Sequence, residues 1–179
     1  MNLIILDDKL ENPLCYVNNL KCSKSFKIEK IIFLYYQHAC KELNAPKEVI
    51  QLYKDMDVDV YHIDSFCFFK VMNPFYNDTT NIFLYDFELK GDDVPDIYRI
   101  QIGYAKNKIN NNGDVDRFFF YTTQANSEQL SNLRKFFPKH VLNANPIEQN
   151  NLKTVSINFE ENENFVRVMK DNNMRGGQT

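Results

Sequence analysis

Apolar residues fall along this chain in short runs separated by polar turns. NLIIL at residues 2–6 reads as a buried strand, followed by the turn-like DDKLENP. In residues 26–44 (FKIEKIIFLYYQHACKELN), Ile28, Ile32, Tyr35, Ala39 and Leu43 recur at helical spacing, and Ile31, Phe33 and Leu34 broaden the apolar face. That pattern predicts a well-buried helix. Pro46 suits the first turn of a second helix running through KEVIQLYKDM.

The period then changes. VDVYHIDSFCFFKVM (58–72) is rich in aromatic and β-branched residues and is closed by Pro74, so it reads as a strand. IFLYDFELK (82–90), IYRIQIGYAK (97–106) and VDRFFFYTT (115–123) follow with short connections, the last after the turn-forming Asn112-Gly113. Asn126 and Gln129 make a capping-box pattern for a helix that Pro138 stops. A polar loop, 143–152, leads to the strand KTVSINF and a final helix near 161–171. The expected fold is α+β: a mostly antiparallel meander of about five to six strands with helices on one face. Residues 1–174 are expected to form a single domain and 175–179 a flexible tail.

Composition narrows the function classes. The 44% hydrophobic and 14% aromatic content excludes a disordered chain. A net charge of −3 and only five arginines, scattered along the sequence, give no positive stripe for phosphates, so direct nucleic-acid binding is not expected. Cys15, Cys22, Cys40 and Cys67 form no CxxC pair, and the N-terminus lacks the basic start of a signal peptide. No stretch reaches the ~18 apolar residues of a membrane helix. These features predict free thiols, a cytoplasmic location and no membrane association.

Candidate chemistry centres on residues 81–93, NIFLYDFELKGDD. Alternation places Phe83, Tyr85, Phe87 and Leu89 on a core face and Asp86, Glu88 and Lys90 on the other, with Glu88 facing Arg99 across a hairpin. Asp55, Asp57 and Asp59 copy the first acids of a calcium loop, but Val60 and Phe66 stand where its glycine and bidentate glutamate belong. The histidines and cysteines have no zinc spacing, and the five glycines form neither GxGxxG nor a P-loop. No cofactor and no metal set is expected.

The triplet Glu88-Leu89-Lys90 resembles the ExK element of the PD-(D/E)xK nucleases. The resemblance implies a metal held by carboxylates, a lysine stabilising developing charge, and an upstream Asp on a neighbouring strand, for which Asp64 or Asp78 is the candidate. Pro95-Asp96 lies after the triplet, where the family pattern wants it before.

The leading expectation is a non-catalytic protein-binding module, of the inhibitor or immunity-protein type. It would meet a basic protein partner through Asp57, Asp59, Asp86, Glu88, Asp92, Asp93, Asp114 and Asp116. The alternative is the metal-dependent nuclease, with Asp64 or Asp78, Glu88 and Lys90 as its catalytic residues.

Overall fold

The computed structural model describes residues 1–37, 46–64, 66–87, 117–123, 131, 134–135 and 138–175. In chain order its elements are β1 (Asn2–Asp7), α1 (Pro13–Cys22), β2 (Lys30–Tyr36), α2 (Lys47–Asp55), β3 (Val58–Ile63), α3 (Phe68–Asn77), β4 (Asn81–Asp86), β5 (Phe118–Thr122), β6 (Val141–Gln149) and β7 (Leu152–Ile157). A 3₁₀ turn (Phe159–Glu161) then precedes α4 (Glu163–Arg175).

The apolar runs behave as strands because each is covered on both faces, which removes the need for polar alternation. Leu3 and Ile5 of β1, Ile31 and Phe33 of β2, and Ile82 and Leu84 of β4 pack into one core. Tyr16 and Val17 of α1, Val49 and Tyr53 of α2, and Phe165 and Met169 of α4 cover them. The alternate residues Ile4, Leu6, Ile32, Leu34, Phe83 and Tyr85 form a second core under Phe68, Met72 and Tyr76 of α3. The seven strands run β3-β2-β1-β4-β5-β6-β7. Every pairing from β3 to β6 is parallel, and only β6 with β7 is antiparallel. Successive strands run outward from β1 in one direction through β2 and β3, and in the other through β4, β5 and β6. The order therefore reverses between β1 and β4.

This architecture overturns the antiparallel meander. The sheet is mixed and mostly parallel, with helices on both faces. Residues 30–36, inside the expected first helix, are the buried strand β2. Their six consecutive apolar residues fit helical spacing only because an uninterrupted run fits any period. The expected strand 58–72 divides into β3 and α3, and Pro74 lies inside that helix. The expected polar loop 143–152 is mostly β6 and the hairpin to β7. Asn150 (φ 53°) and Asn151 (φ 62°) take the left-handed conformation there, which Asn tolerates in a two-residue hairpin turn. The helix after Pro46, the strand KTVSINF and the final helix do form. Residues 97–106, residues 176–179 of the expected tail and most of the Asn126 helix lie outside the described residues. Among the described residues no helix is long and apolar enough to cross a membrane.

Candidate functional site: a carboxylate cluster at the carboxyl edge of the sheet

Strands β1 (NLIILD) and β4 (NIFLYD) share one pattern: an Asn, four apolar residues, an Asp. They lie side by side, parallel and in register, with Asn2 opposite Asn81 and Leu6 opposite Tyr85. At the amino end, Nδ2 of Asn2 donates to Oδ1 of Asn81 at 3.1 Å. At the carboxyl end the same register brings Asp7 and Asp86 together. Asp8 joins them, and one carboxylate oxygen from each of the three lies within 4.8 Å of the others. Asp7 is fully buried, Asp86 is 7% exposed, and Asp8 is half-buried.

Several groups hold Asp7. Its Oδ1 accepts the Lys9 backbone N–H at 2.7 Å, and Nδ2 of Asn12 donates to both oxygens at 3.3 and 3.2 Å. Asn12 is placed by α1, which starts at Pro13. The Tyr121 hydroxyl donates to Oδ2 of Asp7, and the Tyr16 hydroxyl lies 3.0 Å from that of Tyr121. Burial pushes the Asp7 carboxyl up to about 7, and the Asp8 charge adds to this, while Tyr121, the Lys9 amide and Asn12 pull it down. Burial, followed by the Asp7 charge, raises the Tyr121 and Tyr16 hydroxyls well above the usual phenol range. Both tyrosines therefore remain protonated at neutral pH.

A buried like-charge cluster is costly unless protons or a cation compensate it. Carboxylate oxygens are hard donors, suited to Mg²⁺, Mn²⁺ or Ca²⁺. Oxygens on opposite sides of Mg²⁺ lie about 4.2 Å apart, and of Ca²⁺ about 4.8 Å apart. The 4.8 Å spread of the cluster is that of the Ca²⁺ sphere and exceeds that of Mg²⁺, which would need the carboxylates drawn slightly closer. The cluster's position is also the one where open parallel sheets bind ligands: beyond the carboxyl ends of the strands, where the strand order reverses.

The described residues among those singled out from sequence are dispersed. Asp64 follows β3, three strand spacings or about 14 Å from β4, and its Oδ1 accepts the Phe66 and Cys67 amides, both at 2.9 Å. Asp78 precedes β4 at the opposite edge of the sheet, where it binds the Thr80 amide (2.9 Å) and hydroxyl (2.7 Å). The extended strand alone separates that edge from Asp86 by about 16 Å. Neither residue is placed to share an ion with Asp86. Asp59 is ion-paired to Lys30 at 2.6 Å. Asp57 takes a left-handed conformation (φ 55°) in the turn between α2 and β3, and its carbonyl accepts Nζ of Lys21 at 3.3 Å. Asp86, expected on a solvated face, is buried because β4 is a central strand covered on both sides. Glu88, Lys90, Asp92, Asp93, Asp114 and Asp116 lie outside the described residues, as do Arg99, His38 and Cys40. Cys15, Cys22 and Cys67 are free thiols.

Asp7, Asp8, Asn12 and Tyr121 were not singled out from the sequence. The available signal was the repeated Asn–apolar–Asp pattern, in which two apolar runs of equal length each end on a carboxylate. Compared with known proteins, the chain matches no family model, no curated protein and no solved structure.

Proposed function

We propose that this chain is a divalent-metal-dependent hydrolase of phosphodiesters, acting on nucleic acid at the carboxyl edge of β1 and β4. The observation that carries the reading is the convergence of Asp7, Asp8 and Asp86 within 4.8 Å at the reversal of strand order. A divalent ion bound there would lower the pKa of a coordinated water and neutralise charge developing on the phosphoryl oxygens. Asp7, Asp8 and Asp86 supply the ligands. Asn12 and Tyr121 fix the Asp7 carboxylate in one orientation, as outer-shell partners do at metal sites. Glu88 and Lys90 follow Asp86 closely in the chain and are the residues to vary beside it.

The acidic protein-binding surface draws less support. Of its three described members, Asp86 is buried and Asp59 is ion-paired.

The test is incubation of the purified chain with labelled single-stranded and duplex DNA and RNA, with Mg²⁺ or Mn²⁺ and with chelator. Cleavage is expected only with metal, and Asp7→Asn and Asp86→Asn should abolish it. Cleavage retained in both variants, or unaffected by chelator, would overturn the proposal.

A further inference from the structure

A cavity of about 320 Å³ opens past the carboxyl end of β5, beside the first residues of β6, and no role has yet been given to it. Thr122, Arg134, Asn143, Asn145 and Glu161 line it. It adjoins the carboxylate cluster through the sheet itself. Tyr121, which reaches Asp7, is paired with Asp86, and the next residue, Thr122, is paired with Asn143 of β6. The cavity floor therefore begins about one strand spacing from β4 and extends to about two, or roughly 10 Å.

Its lining combines both hydrogen-bonding senses. Arg134 offers donors only, Glu161 acceptors only, and the two amides and the hydroxyl offer both. Arg134 can meet a phosphate, while Glu161, the two amides and the hydroxyl suit a heterocycle with amino and carbonyl edges. The volume lies at the small end of the ~300–1,000 Å³ typical of ligand sites, enough for one monomer unit. Glu161 also lines an adjoining cavity of about 430 Å³ together with Lys139. Three cations (Lys139, Arg134 and Arg167) and two glutamates (Glu161 and Glu163) thus border the pair of cavities.

We propose that this cavity is a nucleotide subsite, holding the base of the residue next to the linkage held at the carboxylates, with Arg134 on its phosphate. The assignment rests on the phosphodiesterase reading for its place in a reaction, but binding at the cavity needs no metal.

The experiment is a titration of the isotopically labelled full chain with the four ribonucleoside 5′-monophosphates in chelator, followed by NMR. Ribose 5-phosphate and inorganic phosphate serve as controls. At least one nucleotide should move the side-chain amide signals of Asn143 and Asn145, and more tightly than either control. Arg134 and Asn143 are exposed, so alanine is tolerated there. Arg134→Ala and Asn143→Ala should each weaken binding about tenfold, the equivalent of one hydrogen bond to a charged or well-oriented group. Nucleotides that leave these signals unmoved, controls that bind as tightly, or variants that bind unchanged would overturn the subsite. Nucleotide binding here without strand cleavage would remove the hydrolase and leave the subsite. Cleavage whose KM is the same in both variants would do the reverse.

Discussion

The Tyr121 hydroxyl donates to Oδ2 of Asp7 across the end of the intervening strand β4. It links three parallel strands at the edge where the carboxylates meet, and Tyr16 extends the link into α1. Tyr121→Phe removes the donor to a fully buried carboxylate and strands the Tyr16 hydroxyl. The expected cost is about 1–3 kcal/mol in urea denaturation. The Tyr121 bond pulls the Asp7 pKa down, so its loss should raise that pKa further. Carboxyl NMR of the variant checks the direction, and an unchanged Asp7 titration would remove Tyr121 from the site.

Stability should fall as pH rises toward neutrality. The Asp7 carboxyl moves from its ordinary 3.8 up to about 7 in the folded chain. Between those values the folded state keeps a proton that the unfolded state has released. Folding therefore loses free energy through this window, on the order of 4 kcal/mol once pH has passed about 7. Asp7→Asn puts a permanently neutral group in the same place. It should match the parent in Tm near pH 4 and exceed it at about pH 8. An Asn variant less stable than the parent at the higher pH would show that the charged carboxylate is not the burden.

A bound cation should offset part of that penalty. Mn²⁺ or Mg²⁺ at about 100 times its Kd stabilises the folded chain by about 2.7 kcal/mol. Because the ion competes with the Asp7 proton, the rise in Tm should be larger above pH 7 than at about pH 5. Asp86→Asn should abolish it. A Tm rise of equal size in the variant would place the cation elsewhere.

Part of this architecture was legible in the sequence and part was not, for one physical reason. Amphipathic elements announce themselves: α2 buries Val49 and Tyr53, one turn apart, and forms where its pattern and Pro46 place it. Central parallel strands carry no such contrast. Ile31 to Tyr36 is apolar throughout, so its assignment depends on β-branched and aromatic content rather than period, and it satisfies helical spacing as readily as strand spacing. The same double burial concealed the site. Alternation predicts a wet face and a dry one, and so a solvated Asp86. In β4 both faces are dry, and the carboxylate that ends the strand is buried with them. The partnership of Asp7 with Asp86 depends on which strands are neighbours, and that is a property of the parallel topology that no local pattern states.

Arg117 offers a test of the scaffold separate from the site. The residue is 5% exposed, and its guanidinium stands 5.9 Å from the centroid of the Phe83 ring. Nη1 donates to the Asp78 carbonyl at 2.8 Å and to that of Asn81 at 3.5 Å, and Nη2 donates to the Tyr76 carbonyl at 3.4 Å. These carbonyls belong to the last turn of α3, its connection to β4 and the first residue of β4, and a cation at the helix end also complements its dipole. The side chain therefore ties the start of β5 to the exit of α3. A lysine carries the charge but not the planar fork, so Arg117→Lys should lose at least one of these bonds, about 1–3 kcal/mol. The measurement is the urea midpoint at unchanged m-value. The bonds lie at the amino edge of the sheet, about 16 Å from Asp86 along β4, so cation affinity should not change. A lysine variant that keeps parental stability would show that the carbonyls find water instead; one that loses cation affinity would show that the two edges of the sheet are coupled.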